Sequence, residues 1–179
     1  MSVRTLSDLD RIDRKILDIL QRDGRVANAD LAKLVNLSAT PTLERVRRLE
    51  RDGFIESYVA LLNPAKMEAD MIAFIEISLD RTTEDVLAKF ADAIRDVEEI
   101  IECHMIAGGF DYLLKVRTQD MAAYRRLLGT RLGTLPGVRV THTYMVMEHV
   151  KSATTFSVGP APDDRKSRPQ SQAKALGRR

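Results

Sequence analysis

The first 60 residues place apolar side chains every three or four positions, in three segments separated by polar turns. This spacing predicts a helix from Asp8 to Arg22 that starts at the capping residue Ser7. It predicts a second helix from Ala29 to Val35 and a third from about Pro41 to Asp52. The tripeptide Asn36-Leu37-Ser38 is long enough only for a turn. Two short helices joined by a tight turn and braced by a preceding helix are typical of a helix-turn-helix.

The pattern changes after the third helix, where runs of β-branched and apolar residues predict strands. Ile55–Leu62 is predicted as a strand, and Asn63-Pro64 ends it near a domain boundary. The elements that follow have the order βαββαβ, with strands at 72–79, 100–106, 110–118 and 138–150 and helices at 84–95 and 120–132. This order is the ferredoxin-like split βαβ arrangement. Because both helices cover one face of such a sheet, we expect a second copy of the sheet to cover the other, in a dimer at least.

The third predicted helix carries the strongest functional signal. Steps of about 100° place Leu43, Val46 and Leu49 on one apolar stripe and turn an arginine-rich side to solvent. Arginine can bind guanine with two hydrogen bonds. The residues that contact bases lie toward the N-terminal end of such a helix. We expect contacts to bases or the first phosphates from Ser38, Thr40, Thr42, Glu44 and Arg45, and contacts to phosphates from Arg47, Arg48 and Arg51.

The same helix has a plainer explanation, in which its polar side is only a solvated surface. Glu44, Glu50 and Asp52 would then pair with the neighbouring arginines. The tight turn and the helical brace before it favour the helix-turn-helix, so we expect double-stranded DNA as a partner.

Composition and charge narrow the class of protein. The net charge of +2 divides into +1 for residues 1–60, −3 for residues 61–158 and +4 for residues 159–179, so DNA binding must depend on local placement of arginines. No apolar run approaches the roughly 18–20 residues of a membrane span. The single cysteine, Cys103, forms no internal disulfide, which favours a reducing cytoplasm. The Gly-, Pro- and Ser-rich residues 159–179 are predicted to be a disordered basic tail.

Patterns typical of an enzyme are missing. Cys103 and His104 are adjacent on a predicted strand, so their side chains point to opposite faces of the sheet. The sequence has no metal-ligand spacing, phosphate loop or nucleophile elbow. We therefore expect a protein that is not an enzyme and that needs no cofactor or metal.

Five segments together resemble one family of bacterial and archaeal transcription regulators. They are LDRIDRKILDILQRDGR, LAKLVNLSATPTLERVRRLERDGFI, YVALLNP, EIIECHMIAGGFDYLLKVRTQDMAAYRRLL and LPGVRVTHTYMVMEHVK. The chain resembles the Lrp/AsnC, or feast/famine, family from about Leu9 to Lys151, and it is most similar to the leucine-responsive branch. That branch includes activators of proline catabolism. The chain departs from the family's pattern in having Ala107 before its paired glycines and Ala39 where the recognition helix commonly has a proline.

The resemblance implies an α+β protein with an N-terminal winged helix-turn-helix and a C-terminal ferredoxin-like domain that binds amino acids. Applied to this chain, it implies a DNA-binding domain at 1–62, a linker at 63–71 and a ligand-binding and oligomerisation domain at 72–158. It also implies a cytoplasmic, nucleoid-associated regulator of amino-acid metabolism that senses a small amino acid such as leucine or proline. Family members form dimers and commonly octamers, with effectors bound between dimers. A DNA-organising protein without a ligand switch remains the alternative.

The resemblance places the effector region around the hairpin between the second and third strands of that domain. The implied residues are Met105, Gly108, Gly109, Phe110, Asp111, Met121, Tyr144, Met145 and Val146. Paired glycines allow a ligand carboxylate to approach backbone N–H groups, and an aspartate can pair with an ammonium group. Methionines form adaptable apolar walls. The ordinary alternatives are turn glycines, a turn or capping aspartate and core methionines.

Overall fold

A computed structural model of the chain describes residues 4–159, which form two compact units. The first unit contains the residues up to Ala60 together with the segment that begins at Ser152, and the second is Leu61–Lys151. The last residues of the predicted C-terminal domain, 72–158, make their contacts within the first unit from Ser152 onward. The predicted tail lies outside the described residues except for its first glycine.

The first unit contains three helices, α1 (Arg11–Leu20), α2 (Asn28–Val35) and α3 (Ala39–Arg51), after a 3-10 turn at Leu6–Asp8. The prediction that α1 starts after Ser7 was wrong. Asp10 is the N-cap, because its side chain accepts a hydrogen bond from the Asp13 backbone N–H.

The α3 helix begins two residues before the predicted start at Pro41. Pro41 nevertheless lies in the first turn, where a backbone N–H has no partner within the helix, so the proline costs nothing. At the other end, Gly53 has φ +76°, a conformation that suits glycine and stops the helix.

Residues 55–62 form no strand, which contradicts the prediction for this segment. Val59, Leu61 and Leu62 are exposed, and all strands of the described residues lie between Met71 and Met145. A β-branched run forms a strand only when another strand satisfies its backbone N–H and C=O groups, and the chain offers none here.

The C-terminal segment that starts at Ser152 lies along α1 of the first unit. The Phe156 backbone N–H donates to the Gln21 side-chain oxygen at 3.1 Å, and the Arg14 guanidinium donates to the Val158 carbonyl at 3.4 Å. The segment also lines a cavity of about 620 Å³ together with apolar side chains that include Leu17 and Phe54. The chain thus returns to its N-terminal unit after completing the second one.

The second unit has the predicted βαββαβ order. Its elements are β1 (Met71–Leu79), α4 (Glu84–Arg95), β2 (Ile100–Met105), β3 (Tyr112–Thr118), α5 (Met121–Thr130) and β4 (Val138–Met145). The four strands form one antiparallel sheet in the order β2-β3-β1-β4. β4 ends five residues before the predicted Val150, because β1 starts at Met71 and the last bond between them joins the Val146 N–H to the Ile72 carbonyl.

The two faces of the sheet differ in burial. Ile75, Leu114 and Val116 lie on the face that α4 and α5 cover, and the Phe90 ring of α4 lies 4.5 Å from the Tyr112 ring, centroid to centroid. The other face carries half-buried or exposed side chains, both apolar and charged, including Phe74, Glu76, Leu113, Lys115 and Tyr144. Alternation along each strand produces this division.

Phe90→Ala should lower the free energy of unfolding by about 3–5 kcal/mol, because it removes a fully buried ring from the core of the second unit. The neighbouring Lys89→Ala should change it by at most about 0.5 kcal/mol, because that side chain is solvated. Urea unfolding followed by circular dichroism measures both. Equal losses in the two variants would contradict the assignment of this helix face to the core.

Candidate nucleic-acid interface and effector region

The exposed side of α3 forms an arginine-lined groove. Its volume is about 610 Å³, and it is lined by Pro41, Glu44, Arg45, Arg47, Arg48 and Arg51. Leu49 and Thr42 anchor the opposite side of the helix in the core of the unit. A buried underside therefore presents guanidinium groups outward, as a helix that enters a DNA groove requires.

Two of the α3 arginines are ion-paired with α1. Arg45 Nη1 lies 2.7 Å from both Asp10 Oδ2 and Asp13 Oδ1, and Arg48 Nη2 lies 2.6 Å from Asp13 Oδ2. Burial opposes ionisation of Asp10, but hydrogen bonds from the Asp13 backbone and from Arg45 outweigh it and lower the pKa of the Asp10 carboxyl. These two aspartates were not among the interface residues predicted from the sequence. The available signal was an acidic residue, Asp13, in the apolar stripe between Leu9 and Ile16.

Arg47 and Arg51 differ from Arg45 and Arg48 in their surroundings. Both are exposed, and none of the ion pairs within residues 4–159 includes either of them. They can therefore reach phosphates without first leaving an anionic partner.

The explanation of α3 as only a solvated surface required Glu44, Glu50 and Asp52 to pair with its arginines. In the described residues, none of these carboxylates forms an ion pair with an α3 arginine. Asp52 pairs with Arg4 at 2.6 Å, and Glu50 accepts a hydrogen bond from the Tyr58 hydroxyl at 3.0 Å. Burial and this bond to Glu50 raise the pKa of Tyr58 to about 12. The plainer explanation fails for Glu44, Glu50 and Asp52, because in the described residues the α3 arginines pair with carboxylates of α1 instead.

Thr42 is not available for the contact predicted for it. Its side chain is fully buried, and its hydroxyl donates to the Ser38 carbonyl at 2.9 Å. Leu43, predicted for the apolar stripe, is 37% exposed instead. A short threonine lets α3 approach the helices beneath it closely, and the bond along its own helix satisfies the buried hydroxyl. Ser38 and Thr40 are exposed at the N-terminal end of the helix, which is where contacts to bases or the first phosphates were predicted.

The turn before α3 fixes where that helix begins. Asn36 adopts the left-handed conformation at φ 57°, which is tolerated by asparagine and ends α2. The Asn28 side chain donates to the Ala39 carbonyl at 2.9 Å and so ties the start of α2 to the start of α3. The helix-turn-helix is thus held by side-chain bonds as well as by its core.

The predicted effector residues fall into two groups, one at the β2–β3 hairpin and one along β4 and the start of α5. Met105 pairs with Tyr112 at the end that carries the β2–β3 hairpin. Met145 pairs with Ala73 toward the other end, where β3 finishes at Thr118 and α5 begins with Met121. Along β3, Met105 is level with Tyr112 and Met145 is level with Val116, four residues or about 13 Å farther along. The strands that carry them, β2 and β4, are also three strand spacings of about 4.8 Å apart. Tyr144 and Val146 belong to the second group, so one subunit does not bring all the predicted residues together.

The β2–β3 hairpin is anchored by Asp111. Its carboxylate Oδ2 accepts the Leu79 N–H at 2.7 Å, its backbone N–H donates to Ile77, and its carbonyl accepts from Ile106. One oxygen of the carboxylate predicted to bind an ammonium group therefore holds the end of β1. The side chain of Phe110 is half-buried beside it.

The fold does not require glycine at Gly108 or Gly109. Neither has a positive φ, a Cβ at Gly109 would meet no atom within 4 Å, and a Cβ at Gly108 would make only an ordinary 3.4 Å contact with Ile106. Met105 and Met121 are exposed, so they are not simple core residues. The open backbone of the hairpin is therefore available to a group from outside the subunit.

Other chemistry is limited in the described part of the chain. Cys103 is a free, exposed thiol, and His104 Nε2 lies 3.3 Å from Glu102 Oε2. Within residues 4–159, no group of three or more His, Cys, Asp and Glu side chains is placed to hold a metal ion. The helices found in that range are all too short or too polar to cross a membrane.

Two known families match the chain. The winged helix-turn-helix DNA-binding family matches residues 9–56, and the Lrp/AsnC ligand binding domain matches residues 72–156. The first match contains α1, α2 and α3, and the second contains the four-stranded sheet and its helices.

Individual relatives are transcriptional regulators rather than enzymes. Leucine-responsive regulatory proteins of Escherichia coli K12 and Klebsiella pneumoniae are each 58% identical over 151 residues, which is 84% of this chain and 92% of theirs. The structure of a Neisseria meningitidis transcriptional regulator in complex with L-Met has a TM-score of 0.79 at 34% identity, over 83% of this chain and 96% of that one. The leucine response regulatory protein of Mycobacterium tuberculosis has a TM-score of 0.68 at 31% identity, over 84% of this chain and 100% of that one.

The arginine-bearing helix-turn-helix and the four-stranded domain each match their family counterparts in the same order along the chain. This chain belongs to the Lrp/AsnC family of DNA-binding transcriptional regulators.

Proposed function

We propose that this protein recognises specific operators of amino-acid metabolism genes and that a small apolar amino acid, leucine or proline first among candidates, changes its affinity for them. The arginine-lined groove of α3, presented by a helix-turn-helix, is the observation that carries the proposal. Ser38, Thr40, Glu44 and the four arginines are the proposed DNA-contacting residues. Thr42 is excluded by its burial.

The protein acts as a dimer at least, and dimers assemble further, to an octamer in the fullest form. The half-exposed sheet face with Phe74 and Leu113 supports a second copy as its cover. Two α3 helices of a dimer would enter successive major-groove faces about 34–36 Å apart, or a multiple of that distance. We place this assembly in the cytoplasm, on the nucleoid.

The effector binds where residues of two subunits meet. The hairpin residues Met105 and Gly109 lie at one end of the sheet, and Met121 and Met145 lie toward the other, so a second subunit is needed to combine them. A ligand held between copies binds one assembly more tightly than another and so shifts their populations. The names of the leucine-responsive relatives and the L-Met complex of the Neisseria regulator support an apolar amino acid.

Arg47→Ala and Arg51→Ala should each weaken DNA binding on operator and non-operator duplexes alike, and each should reduce the slope of log affinity against log salt by about 1. Both side chains are exposed and carry no described ion pair, so phosphate contact is their expected role. Fluorescence anisotropy at several salt concentrations measures the slopes. Arg95→Ala, an exposed arginine of α4 paired with Asp92, is the control and should leave the slope unchanged. An unchanged slope in Arg47→Ala and Arg51→Ala would contradict their assignment.

Thr40→Val and Thr42→Val should separate DNA contact from folding, because they make the same chemical change on opposite sides of α3. Thr40→Val should weaken operator binding and leave the unfolding midpoint nearly unchanged. Thr42→Val should lower the free energy of unfolding by about 0.5–1.5 kcal/mol and leave the affinity of the folded protein unchanged. Anisotropy and urea unfolding measure the pair. A loss of affinity in folded Thr42→Val would show that the orientation of α3 is wrong.

Gly109→Ala should abolish the effect of amino acids on operator affinity while the protein stays folded and bound to DNA. The added Cβ meets open space in the subunit, so it interferes only with a group that approaches from outside. Gly129→Ala in α5 is the matched control, because its Cβ also meets no atom within 4 Å. Operator titrations with and without each amino acid compare the two variants.

A wild-type response that persists in Gly109→Ala would remove the hairpin from the effector site. A wild-type protein that responds to none of the natural amino acids would instead favour the ligand-independent DNA-organising function.

A further inference from the structure

A single buried carboxylate connects α1 to the exposed face of α3. The Asp13 side chain is 3% exposed, and each of its two oxygens binds a different guanidinium, Oδ1 that of Arg45 and Oδ2 that of Arg48. Arg45 and Arg48 are three residues apart, on neighbouring turns of one flank of the helix. A carboxylate at this depth stays ionised only when cations and hydrogen bonds compensate for its lost hydration. The two arginines therefore have a fixed point of attachment beneath the groove.

The same two arginines still face outward. The side chains of Arg45 and Arg48 are 25% and 36% exposed, and both line the groove of α3. Each guanidinium offers five N–H donors in a rigid plane, and the aspartates occupy only Nη1 of Arg45 and Nη2 of Arg48. Within the described residues, the other nitrogens of both side chains make no hydrogen bond. Anchoring one nitrogen thus sets the direction of the remaining donors.

Asp10 differs from Asp13 within the cluster that these two aspartates form with Arg45 and Arg48. It caps α1 through the Asp13 N–H, and its other oxygen binds Arg45, but half of its side chain is exposed. A phosphate oxygen at the groove can take the place of this second bond without exposing any buried charge. The cluster therefore contains one fixed anion, Asp13, and one exchangeable anion, Asp10.

We propose that Asp13 is the positioning residue of the DNA interface, orienting Arg45 and Arg48 for base recognition, and that DNA phosphate replaces Asp10 as the second partner of Arg45. The inference rests on the proposed operator recognition and assigns different roles to the arginines. It moves Arg48 from the phosphate contact expected from the sequence to base recognition, because Asp13 anchors it together with Arg45. Arg45 and Arg48, held in preset directions, supply sequence discrimination. Arg47 and Arg51, without such an anchor, supply affinity that does not depend on sequence.

The test compares two duplexes, one selected by the full-length wild-type protein from a random-sequence pool and one scrambled with the same composition. Asp13→Asn keeps the size of the side chain but removes the charge that anchors both arginines. It should weaken binding to the selected duplex about tenfold or more, because the two-bond contact of an arginine with guanine requires a well-placed guanidinium. Binding to the scrambled duplex should change less than about threefold, because the arginines keep their charge. Asp10→Asn keeps the helix cap and should retain the preference while strengthening binding to both duplexes.

A double-mutant comparison separates positioning from simple stabilisation of the fold. In an Arg45→Ala, Arg48→Ala background, Asp13→Asn should cause no further loss of preference, because the side chains through which it acts are gone. A further loss in that background, or an equal loss on both duplexes in the wild-type background, would overturn the proposal.

A second variant covers the case in which Asp13→Asn does not fold. Arg45→Lys with Arg48→Lys preserves both charges and both ion-pair partners, but an ammonium group has no planar set of outward donors. It should lose the preference for the selected duplex and keep the affinity for the scrambled one, and an unchanged preference would overturn the inference. The selection with wild-type protein tests a separate claim. If the wild-type protein selects no sequence from the pool, operator recognition itself is overturned, and with it the role of Asp13.

Discussion

The DNA-binding unit depends on the requirement that a buried carboxylate be neutralised by cations. Asp13 lies in the stripe of α1 that faces the core, and it binds Arg45 and Arg48 of α3 at 2.7 and 2.6 Å. Replacing both partners would leave an uncompensated charge in a site with little access to water. The relative placement of α1 and α3 is therefore coupled to the direction of the arginine side chains. Packing of Ile16, Leu31 and Leu49 holds the helices together, and the ion pairs determine how the recognition helix presents its polar face.

The second unit follows a different constraint, which is the order of strands in its sheet. Because β2 and β4 lie at opposite edges, residues on them are about three strand spacings, or about 14 Å, apart within a subunit. In the proposed effector site, the exposed hairpin glycines and the exposed Met121 would each supply part of the lining. A site divided in this way would make ligand binding sensitive to assembly, since the ligand would stabilise the arrangement that brings the two halves together.

Chain connectivity links the two units twice. The segment after Ala60 leads into β1, and the segment after β4 leads from Met145 back to Ser152, where the chain rejoins the DNA-binding unit. There the Val158 carbonyl accepts a hydrogen bond from Arg14, the residue next to Asp13 on α1. A strand that carries proposed effector residues is thus followed directly by a segment bound to the first helix of the DNA-binding unit.

Most elements were predictable, and the errors have local physical causes. Helix α4 was predicted with its observed bounds, because the threonine before it and the apolar periodicity along it indicate the same helix. The start of α1 was predicted wrongly, since Ser7 and Asp10 are both good capping residues and only the fold shows that Asp10 reaches the Asp13 N–H. Residues 55–62 have strand composition but no strand to pair with. The end of β4 was set by the start of its partner β1, which no local pattern in residues 146–150 reveals.

By itself, the sequence determined the helix-turn-helix, the βαββαβ order, the family and the arginine-rich character of α3, because these follow from local periodicity, turn residues and side-chain type. Only the tertiary structure decided which side of α3 is buried, that Thr42 rather than Leu43 faces inward, and that Arg45 and Arg48 share Asp13. It also decided that the predicted effector residues lie in two separate groups, one at the β2–β3 hairpin and one along β4 and the start of α5. These outcomes depend on contacts between residues some 30 or more positions apart, and side-chain periodicity along the chain carries no information about which distant partner each residue meets.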